Sequence, residues 1–334
     1  MRSKKYPVVC FIAVLVLLSY SHSGFSQYVQ ENSDYTSLSV DGRERRYILY
    51  VPDGYKDKAL PLVIVLHGGG GSGQKMRVGL GFDRYASRYG FAVAYPDAYI
   101  SAGTRRSRQW NDGRKTLESY KQGIDDVHFI RAMIDDIAQR ITLDKARIYV
   151  TGPSNGGMMT FCLALEAPEL FAAAAPVIAN IPSSLYNSSS HPSGMSILTI
   201  NGTDDPFMPF NGGEGCKGLN KFISNLVCGN GGGIGVMSHE ESIGVFAKVD
   251  GCSLNAETER LAPVVDDGTW IEKQVYNGCN DKYEVISYIV HGGGHAWPPR
   301  QPQLRASGKA TGNLDATKEI VEFFMRHSKS QALS

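Results

Sequence analysis

Net charge is almost absent from this chain: 34 lysines and arginines stand against 33 aspartates and glutamates, a formal +1. A nucleic-acid binder needs a concentrated basic footprint, and no basic run follows the first five residues. That class is set aside, and a neutral or weakly charged substrate is expected. Long apolar runs are lacking as well. Val8 to Leu18 is the one stretch of that kind, and it is short of the roughly 20 apolar residues of a membrane-spanning helix. The lysine of a phosphate-binding loop, the dinucleotide fingerprint and any metal-ligand spacing are all missing, so no cofactor and no metal are expected. No internal repeat is evident, which excludes solenoids and propellers.

The short apolar run at the start has a reading of its own. Arg2, Lys4 and Lys5 precede it, and the small residues from Ser21 to Ser26 follow it. That is the pattern of an export signal over residues 1–26, cleaved before Gln27. A single catalytic domain over 27–334 is then expected outside the cytoplasm, secreted or periplasmic, with no membrane contact after cleavage and as a monomer. Export permits disulfides. Five cysteines remain after cleavage: Cys216 and Cys228 bracket one glycine-rich loop, and Cys252 and Cys279 each follow a glycine. Pairings 216–228 and 252–279 are the simplest proposal, and Cys162, on the apolar face of a helix, is expected to be a buried free thiol.

What is present centres on Ile148 to Gly157. A short apolar run, Ile148 to Val150, reads as a strand; Gly152, Ser154 and Gly156 stand at G-x-S-x-G spacing; Met158 to Ala167 reads as a helix. Strand, sharp turn and helix form the setting in which that spacing exposes a nucleophilic serine, with the N–H of Asn155 pointing at a developing oxyanion. The competing reading of the pentapeptide alone is an ordinary glycine-rich turn.

Upstream, a hairpin is expected at Asp41-Gly42 and a buried strand at Pro61 to Leu66. The strand runs into His67-Gly68-Gly69-Gly70-Gly71. Only residues without a Cβ let an acyl oxygen approach a backbone closely, so Gly69 is the expected second oxyanion donor, with Gly68 next. His67 either orients this loop or simply packs at a strand end. Phe82 to Tyr89 reads as a helix and Phe91 to Tyr95 as a strand. The polar stretch 97–117 contains Trp110, read as a wall of the substrate pocket or as packing for the loop. Gly123 to Arg140 shows apolar residues at helical spacing, with Asp125 and Asp126 as capping and dipole partners.

Downstream, Ser196 to Ile200 is a buried strand leading to Asp204-Asp205, and Ser238 to Val249 a helix. Thr269 to Tyr276 and Tyr283 to Val290 are strands, and Leu314 to His327 closes the chain as a helix. Asp205 is the better acid and Asp204 the alternative. His295, after three glycines, is the better base and His291 its rival. The order Ser154, Asp205, His295, each after a strand, is that of a Ser-Asp-His hydrolase.

Several pieces together carry a family likeness. These are Arg46 to Pro52, His67 to Ser72, Trp110 to Gly113, Asp125 to Val127, Gly152 to Gly157, Gly202 to Pro206, and Gly292 to Pro298 with Trp297 inside it. In this order the chain resembles the polyhydroxybutyrate depolymerase-like, feruloyl and acetylxylan esterases, carbohydrate esterase family one in the broad sense. The resemblance implies an α/β-hydrolase fold, with a mostly parallel central sheet and helices on both faces. It implies a serine carboxylic ester hydrolase with Ser154, Asp205 and His295 as its triad, and it supports a Cys252–Cys279 disulfide. Trp110 and Trp297 would suit an aromatic acyl group. Since no stretch reads as an appended polymer-binding module, feruloyl or acetyl esters of plant cell-wall polysaccharide are the first expectation. A short-chain polyhydroxyalkanoate depolymerase is the alternative, and a non-catalytic polysaccharide-binding protein on the same fold is the reading from another class.

Overall fold

The computed structural model describes residues 34–55, 58–102, 108–188, 193–216, 234–280, 283–300 and 305–329. The expected signal segment, Cys228 and most of the glycine-rich loop 211–235 lie outside them.

The strands are β1 (Tyr35–Val40), β2 (Arg43–Tyr50), β3 (Leu60–Val65), β4 (Ala92–Asp97), β5 (Leu143–Pro153), β6 (Ala173–Val177) and β7 (Ser196–Gly202). They continue with β8 (Gly213–Gly215), β9 (Ile234–Val236), β10 (Glu257–Arg260), β11 (Trp270–Tyr276) and β12 (Val285–His291). Ten of them form one sheet in the order β1-β2-β4-β3-β5-β6-β7-β12-β11-β10. The six from β4 to β12 in that order run parallel to their neighbours, and both margins are antiparallel. The expected mostly parallel sheet is therefore present.

Burial explains the arrangement. All six residues of β3 are buried. Leu62 and Ile64 face one apolar layer, Val63 and Val65 the other, because successive side chains of a strand point to opposite faces. Each such aliphatic side chain, fully buried, contributes about 1.5–3 kcal/mol. The layer under Leu62 is closed by helices α4 (Asp126–Arg140), α5 (Asn155–Glu166) and α7 (His239–Val249). The layer under Val63 is closed by α2 (Phe82–Tyr89) and α8 (Ala316–Met325), where Phe324 stacks on Tyr149 with ring centroids 4.9 Å apart. At one margin β10 is exposed along its whole length and reads Glu-Thr-Glu-Arg, a charged edge that discourages further strand pairing.

Among the departures from the sequence expectation, two have a plain local cause. Helix α4 begins at Asp126, not Gly123, because Gly123 is left-handed (φ 59°) and the Asp125 carboxylate accepts the His128 N–H as an N-cap. A helix over Gly73–Leu80 was not anticipated. It is capped by Ser72 and has a polar, glycine-containing sequence that hides its period. Cys252 and Cys279 form a disulfide, and Cys162 is a buried free thiol. Cys216 is also disulfide-bonded.

Candidate active site

Every residue expected to act lies beyond the C-terminal end of a parallel strand. At the end of β5, Ser154 has φ 57° and ψ −122°. A non-glycine residue held there stores about 1–3 kcal/mol of backbone strain. Neighbouring contacts hold it: Ser154 N–H donates to the Val177 carbonyl at 2.9 Å, and its own carbonyl accepts the Met158 N–H at 2.8 Å to start α5. The glycines around it are sterically required. A Cβ on Gly152 would sit 2.7 Å from the Leu66 carbonyl oxygen, and one on Gly156 would sit 2.6 Å from that of His67. Helix α5 and strand β3 thus meet backbone to backbone beside the serine.

The loop after β3 is built around His67. Burial pushes its imidazole down to about 4, so it is neutral. Its Nε2 accepts the Ala98 N–H at 3.0 Å, so the proton is on Nδ1, which donates to the Gly68 carbonyl at 2.7 Å. His67 therefore orients the loop, one of the two roles expected of it. Gly71 N–H donates to Gly68 O, and Gly70 N–H to Arg108 O. Among the described residues, the Gly69 and Asn155 N–H groups are used in no hydrogen bond. A Cβ on Gly68 would lie 3.7 Å from Ser154 Cβ, and one on Gly69 3.9 Å from Asn155 Cβ, so this loop faces the serine turn.

The acid and base come from the ends of β7 and β12. His295 Nδ1–H donates to Asp205 Oδ2 at 2.6 Å, while Asp205 Oδ1 accepts the N–H groups of Phe207 and Met208 at 2.8 and 2.9 Å. Both carboxylate oxygens are hydrogen-bonded, as buried polar atoms require. Phe207 meets the His295 ring edge-on at 5.2 Å, and His295 N–H donates to the Ser307 carbonyl. The histidine loop lies directly on β7: a Cβ on Gly202 would be 2.3 Å from the Gly293 carbonyl oxygen. Asp204 is exposed, and His291 stacks on Trp270 at 3.6 Å and bonds Glu272, so neither alternative joins the pair. Among the described residues no hydrogen bond links Ser154 Oγ to His295; such bonds often form only around a bound substrate.

Of the two roles expected of Trp110, the structure shows the packing one, and Trp297 is packed as well. Trp110 is fully buried, its indole N–H donating to the His67 carbonyl at 2.8 Å with the two rings 5.0 Å apart. Trp297 is 6% exposed, edge-on to Phe82, and its indole donates to Thr317. Each ring is consumed by packing, so neither presents a face to an acyl group. Sequence reasoning also missed Asp112 and Arg114, a buried ion pair beside Asn155. The signal was there in a tryptophan, an acid and an arginine within five residues of a polar loop. Among the described residues no group of three or more His, Cys, Asp or Glu is placed to hold a metal ion, and no helix is long and apolar enough to cross a membrane.

Chemically, the strand ends offer a strained serine, a carboxylate-anchored imidazole and, at the serine turn, two backbone donors used in no other hydrogen bond among the described residues. Residues 45–208 match the family described as Esterase PHB depolymerase. A protein named as an esterase, NocK, from Nocardia uniformis subsp. tsuyamanensis is 30% identical over 293 residues, 86% of this chain and 80% of that protein. Feruloyl esterase B of Piromyces equi is 29% identical over 255 residues, 75% of this chain and 42% of that one, so the chain spans less than half of that relative's length. In fold, the chain is like a solved acetyl xylan esterase from Aspergillus awamori: the TM-score is 0.57 at 18% identity, over 88% of this chain and 99% of that one.

Proposed function

This chain belongs to the esterase PHB depolymerase family and is an esterase with an α/β-hydrolase fold; from that premise we propose that it hydrolyses its ester through Ser154, His295 and Asp205. Ser154 Oγ attacks the ester carbonyl as His295 Nε2 takes its proton. Asp205, on Nδ1, fixes the tautomer and balances the imidazolium. The N–H groups of Gly69 and Asn155 receive the oxyanion. His295 then protonates the departing alcohol, and water repeats the sequence on the acyl-enzyme. The observation that carries this reading is the 2.6 Å Asp205–His295 bond, beyond the C-terminal ends of strands in the same parallel sheet as the strained Ser154 turn.

The substrate we propose is a feruloyl or acetyl ester of plant cell-wall polysaccharide, in keeping with the names of the Piromyces and Aspergillus relatives. A short-chain polyhydroxyalkanoate is the second reading, favoured by the family match over residues 45–208. The segment 1–26 is proposed as an export signal, with action outside the cytoplasm. The test is hydrolysis of methyl ferulate, acetylated xylan and a 3-hydroxybutyrate oligomer by wild type and Ser154→Ala. Activity on one of the three, abolished in the variant, supports the mechanism and selects the substrate. Equal activity in the variant would show the nucleophile to be elsewhere.

A further inference from the structure

The two oxyanion arms come from different parts of the chain, Gly69 from the loop after β3 and Asn155 from the start of α5. A third segment touches both. Arg108 accepts the Gly70 N–H at 2.8 Å, and the Trp110 indole donates to the His67 carbonyl at 2.8 Å. On the other arm, Trp110 N–H donates to Asn155 Oδ1 at 2.8 Å, and Asn155 Nδ2 donates to the Trp110 carbonyl at 3.1 Å and to Asp112 Oδ2 at 2.7 Å. Both amide protons and the amide oxygen of Asn155 are spent, and its orientation is fixed by partners that allow no flip. Behind it, Arg114 grips both oxygens of Asp112 through Nε and Nη2, at 2.7–3.0 Å. Asp112 is fully buried and Arg114 5% exposed.

A buried ion pair is a poor way to gain stability, because desolvation offsets most of its attraction. Its value lies in geometry. On the reading of the site given above, we infer that residues 108–114 are a strap that sets the spacing of the oxyanion hole, with Asp112 and Trp110 as positioning residues. Asp112 acts through the Asn155 side chain and Trp110 through the His67 carbonyl. Neither touches substrate. The strap holds two N–H donors, from separate loops, at one oxygen that carries charge only in the transition state. A slip of about 1 Å in such a site can cost about 100-fold in rate.

Asp112→Asn replaces one carboxylate oxygen by an NH2, so that Arg114, which bonds both oxygens, meets a donor where it had an acceptor, and Asn155 does too when the NH2 stands at Oδ2. Trp110→Phe keeps an aromatic ring in place and removes only the indole N–H. Both variants are assayed on p-nitrophenyl acetate, and each is titrated with a boronic acid, whose tetrahedral adduct on serine mimics the oxyanion. The strap predicts a kcat lower by about 30-fold or more for Asp112→Asn and about 10-fold for Trp110→Phe, with KM within about twofold and boronate affinity falling in parallel with kcat. A lower melting temperature with kcat and boronate affinity unchanged would overturn the inference, since the segment would then be structural only. If Asp112→Asn does not fold, Trp110→Phe decides alone. Ser154→Ala in the same assay separates the two levels: full activity there sinks the mechanism itself, whereas a dead Ser154→Ala beside a fully active Asp112→Asn sinks only the strap.

Discussion

Alanine at position 156 tests the backbone contact on which the site is built. Its Cβ would stand 2.6 Å from the His67 carbonyl oxygen and 3.0 Å from that of Leu66. Ordinary contact begins near 3.4 Å, so the strand end and the helix must separate by about 0.8 Å. Neither contact atom belongs to a flexible side chain, so the strain cannot be shed by a rotamer change. Overpacking of this kind costs about 1–3 kcal/mol of stability. The displacement also has a direction, since His67 leads into Gly68 and Gly69 while Gly156 follows Asn155. Opening that gap draws the two proposed oxyanion donors apart. Gly156→Ala should therefore unfold at lower urea and lose about 10- to 100-fold in kcat at nearly constant KM. Urea denaturation and p-nitrophenyl acetate kinetics measure both. An alanine variant with wild-type midpoint and wild-type kcat would refute the close-approach argument.

Asp205→Asn should lower kcat about 10³–10⁴-fold by leaving the imidazole in the wrong tautomer, while Asp204→Asn, at an exposed carboxylate, should change kcat by less than about threefold; comparable losses in the two steady-state assays would mean the acid is misassigned. His67 and His239 are both held neutral by burial, each pushed down to about 4. The unfolded chain takes up these protons first, so the stability from keeping them neutral is complete above pH about 6.5 and is lost as pH falls to about 4, on the order of 3 kcal/mol per histidine. Urea midpoints at pH 7, 5.5 and 4.5 should fall less steeply in His239→Gln than in wild type; parallel falls would contradict the assignment.

The central strands were legible because β3, buried on both faces, reads as an unbroken apolar run, and β7, equally buried, carries Ile197, Leu198 and Ile200. The serine turn was legible because steric demand writes glycines into the chain at 152 and 156. The acid and base could be ordered along the sequence, with Asp205 preferred to Asp204; which of the two carboxylates meets His295 is decided in the fold. The helix over Gly73–Leu80 was hidden by its polarity, and β10 by a length of four exposed residues. The role of the tryptophans could not be read for a physical reason. An indole suits a pocket wall and a core equally well, and only the partner of its N–H decides: the His67 carbonyl for Trp110, the Thr317 hydroxyl for Trp297. The buried Asp112–Arg114 pair was passed over for a related reason, since charged residues in a polar loop are ordinarily solvated.

The central claim is that Ser154 is the nucleophile. The most direct test is to treat the protein with a fluorophosphonate ester, which phosphonylates an activated serine, and to map the adduct by peptide mass spectrometry. The account predicts one adduct, on the peptide carrying Ser154, forming in step with loss of esterase activity and absent from Ser154→Ala. Labelling at another serine that tracks inactivation, or undiminished labelling of Ser154→Ala, would contradict it.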